Sequence, residues 1–240
     1  MQDARVRLHV DQPLAAGQPV PLSRDQAHYL FTVMRLGPGD AVAVFNGRDG
    51  EWRAAVTDAG RRGGTLVAEA ALRPAEPPPD LWLLFAPLKK ARTDFVVEKA
   101  VELGAARILP VQTAFTNAER LREDRLRAHA VEAAEQCGAV FVPEVAPLAP
   151  LTQVLAGWDA ARRLWWCDEA LARESGPPAF GPGPAAILIG PEGGLAPPER
   201  ARLAALPFAR AVRLGPRILR AETAALAAMT LWQAAAGDWR

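Results

Sequence analysis

Lysine is almost missing from this chain of 240 residues: Lys89, Lys90 and Lys99 are the only three among 28 basic side chains, and the rest are arginine. A GC-rich genome accounts for that bias as readily as RNA binding does. With 27 acidic residues the net charge is +1, so overall charge singles out no nucleic-acid partner, and any such site has to come from local clustering. Cysteine is scarce too. Cys137 and Cys167 have no metal-ligand spacing, and His9, His28 and His129 are scattered, so no metal site is expected. Two isolated cysteines fit a reducing cytoplasm better than a disulfide framework. Long hydrophobic runs are absent as well: the charge-free stretch Thr223 to Gly237 is too short and too rich in alanine to span a bilayer, so no membrane partner is expected. Met1 to Val10 carries Asp3, Arg5 and Arg7 without an apolar core, so no signal peptide is expected there. What is present is 50% hydrophobic and 23% charged residues, enough to bury the cores of one large or two modest globular domains.

Proline marks the division. Pro74-Ala75-Glu76-Pro77-Pro78-Pro79 cannot continue a helix or a central strand and reads as a stiff linker over 74–80. Before it, in residues 1–73, Ala41 to Phe45 and Glu51 to Thr57 flank Asn46-Gly47-Arg48-Asp49-Gly50 as a hairpin, and Thr65 to Leu72 adds a strand. One helix interrupts them: Ser23 and Gln26 have capping-box spacing, Ala27, Leu30, Phe31 and Met34 form a stripe, and Gly37 ends it. A small β-barrel with one helix follows.

After the linker, in residues 81–240, strands and helices alternate. Strands are expected at Leu81 to Phe85, Arg107 to Val111, Leu164 to Cys167, Ala185 to Ile189 and Ala211 to Leu214. Helices are expected from a Thr93 or Asp94 cap to Gly104, and over Asp124 to Cys137, Pro197 to Leu206 and Ala221 to Ala236. The fold class is α/β, with a mostly parallel sheet covered on both faces and ligands at the carboxyl ends of its strands. The last helix is apolar around its circumference, which predicts burial all round, met by a second subunit in a homodimer.

Two glycine turns carry the functional signal. Ile189-Gly190-Pro191-Glu192-Gly193-Gly194-Leu195 runs from a strand end into a tight turn, and Leu214-Gly215-Pro216-Arg217-Ile218-Leu219-Arg220-Ala221-Glu222-Thr223-Ala224 sets two arginines and a glutamate at a helix mouth. Glycines let a backbone approach a ligand closely. Neither turn matches a phosphate loop or a dinucleotide fingerprint, and no lysine follows either. The alternative for Glu192 is an acid favoured by a helix dipole, and for Arg217, Arg220 and Glu222 a cluster of surface ion pairs.

The GPEGGL run followed by LGPRILRAETAAL resembles the carboxyl-terminal motifs of the 16S ribosomal RNA uridine-N3 methyltransferases, the RsmE family of the SPOUT superfamily of α/β-knot enzymes. The similarity continues through Leu88-Lys89, through Asp94 to Gly104 with its K-A-x-E-L-G pattern, and through Glu132 to Gly138. In the first domain it covers His28, Arg35, Leu36, Gly39-Asp40 and Phe45-Asn46-Gly47, placed as in a PUA-like RNA-binding barrel. The chain departs from the family pattern at Ala139 and near Phe115-Thr116, where arginine is usual.

The resemblance implies a PUA-like barrel over 1–73, a SPOUT domain with a trefoil knot over 81–240, a homodimer, and methylation of N3 of a uridine in 16S ribosomal RNA of the small subunit, with S-adenosylmethionine as donor. The donor is then expected against Gly190, Pro191, Glu192, Gly193, Gly194, Leu214, Gly215, Leu219, Arg220, Glu222, Thr223 and Ala224, with Trp166 and Cys167 close by. Arg220 is expected to support a uracil anion, and Glu222 or Glu192 to act as base or to orient the arginine. Arg5, Arg7, Arg35 and Arg48 are the expected RNA contacts. Other readings are a differently targeted methyltransferase, a non-catalytic RNA-binding protein of the same fold, and a nucleotide-binding α/β protein.

Overall fold

The computed structural model describes residues 4, 6–60, 63–117, 120–173 and 180–240. The chain forms two compact units: Met1–Pro77 together with Ala134–Val142, and Pro78–Ala133 together with Pro143–Arg240.

The first unit contains β1 (Val6–His9), β2 (Pro19–Leu22), α1 (Arg24–Ala27), β3 (Ala41–Phe45), β4 (Glu51–Gly60) and β5 (Gly63–Arg73), with strand order β1-β3-β4-β5-β2. The β3–β4 hairpin is antiparallel with Ala41 opposite Ala55, as its flanking turn residues predict. Its loop is tied by the Asn46 side chain, which donates to Asp49 and accepts the Asp49 N–H at 2.9 Å. Inward side chains of all five strands, among them Leu8, Val20, Val44, Val56 and Leu66, share one core with Leu30. A sheet whose every strand feeds one core has to curl around it, which gives the barrel-like form. The four-residue strands β1 and β2 are too short for periodicity to reveal.

The Ser23–Gln26 capping box forms in both directions, at 3.2 and 2.9 Å. Beyond Ala27 the helix widens into a π-helical stretch, His28–Val33. It ends at Arg35, which takes φ 59°, rather than at Gly37. A non-glycine residue there is unusual, and the Leu36 N–H bonded to Leu30 O at 2.9 Å holds the reversal.

Arg7 is a correction to the sequence reading. Its guanidinium donates to Glu51 and to the carbonyls of Ala134, Glu135 and Ala139, capping a helix end inside this unit rather than facing solvent. Glu51 also accepts from Arg73 at 2.8 Å. Burial pushes the Glu51 carboxyl up, but the hydrogen bonds and charges of Arg73 and Arg7 outweigh it and hold it below its ordinary value.

The second unit contains β6 (Leu81–Phe85), α2 (Lys90–Glu102), β7 (Arg107–Gln112), α3 (Glu123–Cys137, its last turn counted with the first unit), β8 (Glu144–Val145), β9 (Ala149–Pro150), α4 (Leu151–Ala156), β10 (Arg163–Cys167), β11 (Ala185–Ile189), α5 (Pro197–Ala205), β12 (Ala209–Val212) and α6 (Ala221–Ala236). The sheet order is β12-β10-β11-β6-β7-β8, with β9 also on β7, and these pairings are parallel. All five residues of β11 are buried, as a strand covered on both faces requires. Arg162 locks the strand starts: it donates to both Asp80 carboxylate oxygens, at 2.9 and 2.7 Å, and to Ala185 O, and lies 3.7 Å over the Trp82 ring.

Three expectations change. Helix α2 starts at Lys90, because Thr93 lies inside it with its hydroxyl bonded to Leu88 N and O, and Asp94 pairs with Arg125 of α3 instead of capping. Strand β12 begins two residues early, set by Leu164 opposite Ala209. In the single chain α6 buries one stripe, including Ala225, Ala228, Met229 and Trp232, while Leu231 on the other side stays exposed. One chain supplies only one packing surface for the helix. Within that stripe, buried Gln233 donates to Leu103 O at 2.7 Å and ties α6 to the end of α2.

Candidate active site

Because β12, β10 and β11 are neighbours running the same way, the loops after them emerge on one edge. Those loops, at 168–169, 190–195 and 214–220, wall a single cavity of about 570 Å³, a volume suited to a small-molecule ligand. The Pro191–Gly194 turn is closed by the Gly194 N–H on Pro191 O at 2.9 Å. Gly194 has φ +73°, a backbone angle that favours glycine, and a Cβ there would press on the end of the Glu169 side chain. Gly215, at φ +128°, is required by backbone angle alone, since the space around it is open.

The wall mixes exposed glycine backbone with apolar Ile189, Val212 and Leu214. Arg220 precedes α6 in extended conformation, with φ −65° and ψ 152°, and its carbonyl accepts the Ala224 N–H at 2.8 Å. The first turn of α6, through Ala221 and Ala224, therefore borders the cavity. Cys167 also faces this space. Burial first, and the Asp168 charge second, push its thiol up to about 12, so it stays protonated and is no thiolate nucleophile. Asp168 itself is buried and paired with Arg200 at 2.8 Å.

Beside the cavity stands an ion triad that sequence gave no hint of. Arg92, in the first turn of α2, pairs with Glu192 and lies 3.5 Å from Glu222. Helix α2 follows β6 of the same parallel sheet, which brings Arg92 to the edge where the glycine turns lie. The Glu192 side chain is 53% exposed and that of Glu222 only 17%. Glu222 Oε2 is buried with no hydrogen-bond partner in the single chain. Arg220 is exposed and makes no ion pair with another described residue.

Residues 75–233 match the RNA methyltransferase domain family, and residues 22–69 match the RNA methyltransferase PUA domain. The chain belongs to the RNA methyltransferase family. A ribosomal RNA small subunit methyltransferase E from Mycobacterium bovis is 32% identical over 96% of this chain and 94% of its own length. The crystal structure of the Neisseria gonorrhoeae ribosomal RNA small subunit methyltransferase E, bound to S-adenosyl methionine, superposes with a TM-score of 0.89 at 27% identity, covering 98% of this chain and 99% of that one. A Legionella pneumophila methyltransferase with bound S-adenosylmethionine gives 0.86 at 27% identity, over 97% and 98%.

Within this RNA methyltransferase, the residues expected at the donor site gather closely. Gly190, Pro191, Glu192, Gly193 and Gly194 line the cavity, and so do Leu214, Gly215, Leu219, Arg220 and Ala224, with Cys167 from the strand end. Glu222 and Thr223 do not line it, since the Glu222 carboxylate turns to Arg92. Asp168, Glu169 and Arg217 line it without having been assigned. The missed Asp168-Glu169 pair had one signal, its place just after the β10 strand end. Of the arginines expected to meet RNA, Arg35 and Arg48 are exposed in the first unit, Arg7 is committed to Glu51 and backbone carbonyls, and Arg5 lies outside the described residues. Among the described residues no cluster of metal-ligating side chains occurs, and no helix is long and apolar enough to cross a membrane.

Proposed function

We propose that this RNA methyltransferase transfers a methyl group from S-adenosylmethionine to N3 of a uridine in 16S ribosomal RNA. The observation that carries the reading is the joint closure of three strand-end loops on one cavity walled by glycine backbone, with an open arginine and a carboxylate at its rim. The cavity fits the donor: its volume is right for a small molecule, its backbone can meet polar edges, and Ile189, Val212 and Leu214 offer an apolar surface.

When bound, S-adenosylmethionine supplies an electrophilic methyl on a sulfonium. The residues of this chain do the rest. Uracil N3 becomes nucleophilic when its weakly acidic proton leaves. Glu192, the more exposed carboxylate, takes that proton, and Arg92 holds Glu192 in place while Glu222 anchors Arg92 from behind. Arg220 places positive charge beside the uracil oxygens as the anion forms. The glycine turns fix the geometry of approach, and the neutral Cys167 thiol takes no covalent part. Arg35 and Arg48 of the barrel, with Arg5, hold flanking RNA. A ribosomal RNA substrate supports a cytoplasmic location.

Incubating the protein with labelled S-adenosylmethionine and unmodified small-subunit RNA or particles, then mapping the modified base, tests this. One methyl on N3 of a uridine is expected. No transfer to this RNA, or a methyl on another atom, would overturn it.

The same reading includes a homodimer and a knotted carboxyl-terminal domain. Exposed Leu231 on a helix without charge between Glu222 and Asp238 supports the first. The last helix α6 packs on α2 and β11 although the preceding strand β12 lies at the far edge beyond β10, which supports the second; a crystallographic trace through 190–220 decides it. Sedimentation is expected to give twice the chain mass of 25.7 kDa for the wild type and a shift to single chains for Leu231→Glu. A wild-type protein sedimenting as one chain would exclude the dimer.

A further inference from the structure

We propose that Phe115 is the stacking platform for the acceptor base, so that the target nucleobase lies on its ring beside Glu192 and Gly193. This rests on the reading of the protein as a methyltransferase acting on RNA bases, and adds a binding residue to it.

Phe115 is 48% exposed, in a turn braced by hydrogen bonds of its neighbours. The turn follows β7 on the same edge of the parallel sheet as the glycine loops. Every flanking group is pinned. Thr113 N–H donates to Thr116 Oγ1 at 2.9 Å, Thr116 N–H donates to Thr113 O at 3.1 Å, and the two hydroxyls bond each other at 2.9 Å. Ala114 N–H donates to the Glu199 carboxylate at 2.8 Å, and that carboxylate also accepts from Ala196 N–H at 2.9 Å. These bonds fix the turn on either side of Phe115, so little backbone entropy is lost when a ligand lands on its ring.

Its position says which ligand. A Cβ built on Gly193 would meet Phe115 Cβ at 3.4 Å and two ring carbons at 3.7 Å, so the ring abuts the turn that carries Glu192. Phe115 is nevertheless not part of the cavity wall. An aromatic outside the donor cavity but against its rim faces the reactant that arrives from outside. A base turned out of RNA loses its neighbours' stacking and regains it on an aromatic face, while its edge stays free for a carboxylate and an arginine. Glu192, Arg92 and Arg220 supply those edge groups.

The test compares wild type, Phe115→Ala and Phe115→Trp for affinity to unmodified small-subunit RNA, KM for that RNA, and S-adenosylmethionine affinity by calorimetry. Phe115→Ala is expected to weaken RNA affinity and raise KM by about ten- to a hundredfold, the weight of one base–aromatic stack. Donor affinity stays unchanged, and Phe115→Trp restores RNA binding. Unaltered RNA affinity in Phe115→Ala, equal loss in Phe115→Trp, or a parallel loss of donor affinity overturns the proposal. Should the wild type transfer no methyl to RNA, the proposed reaction fails, while the RNA affinities of the three proteins still decide the stacking role.

Discussion

Arg220→Ala is expected to lower the single-turnover rate of methyl transfer about 10²- to 10³-fold, the usual cost of removing a charged donor aimed at developing negative charge. S-adenosylmethionine affinity should change by no more than about threefold, because the expected contact to the donor at this position is backbone. The backbone is also what starts the helix: Arg220 O accepts the Ala224 N–H, and no side-chain cap is involved, so alanine leaves α6 intact. The side chain is exposed at the cavity, without an ion pair to another described residue, whereas Arg92 is held between Glu192 and Glu222. That contrast assigns the two arginines different work. Arg220→Lys keeps a charge but loses the planar fork, and should fall between wild type and alanine. Calorimetry for donor binding, with rapid-quench measurement of transfer, checks both halves. Undiminished transfer by Arg220→Ala would remove the residue from the mechanism.

Trp232→Ala should destabilise the second unit by about 3–5 kcal/mol, the range for emptying a large buried aromatic site. Trp232 is fully buried within the stripe that α6 turns into its own chain, next to Met229. Its indole N–H makes no hydrogen bond, so packing alone is lost. The loss should appear as a lower urea midpoint with little change in slope. A stability within about 1 kcal/mol of wild type would show that α6 is not held by this face. Since α6 also begins at the cavity, the variant should lose donor affinity as it loses stability.

Much of the architecture was legible because it depends on short-range rules. The proline-rich segment, the Asn46–Gly50 turn, the Ser23–Gln26 box, and Gly104 and Gly138 as helix stops each act through a few neighbouring residues, and the structure has Gly104 at φ 72° and Gly138 at φ 85°. The two glycine turns could be seen for the same reason, since positive φ and close backbone approach are properties of the residue itself. Errors came where a side chain found a partner that local capping rules do not anticipate. Thr93 and Asp94 have the chemistry of caps, but Leu88 and Arg125 claim them. Arg7 has the look of an RNA contact, but Glu51 and three carbonyls near 134–139 claim it.

The sequence by itself determined the strand–helix alternation, the two glycine turns and the family, because each is written in contiguous residues whose conformational limits are local. Only the tertiary structure decided that Arg92 joins Glu192 and Glu222, that Phe115 stands at their rim, and which face of the charge-free last helix is buried. Those outcomes depend on which strand ends share an edge of the sheet, and partners 100 residues apart along the chain, as Arg92 and Glu192 are, meet only once that order is set.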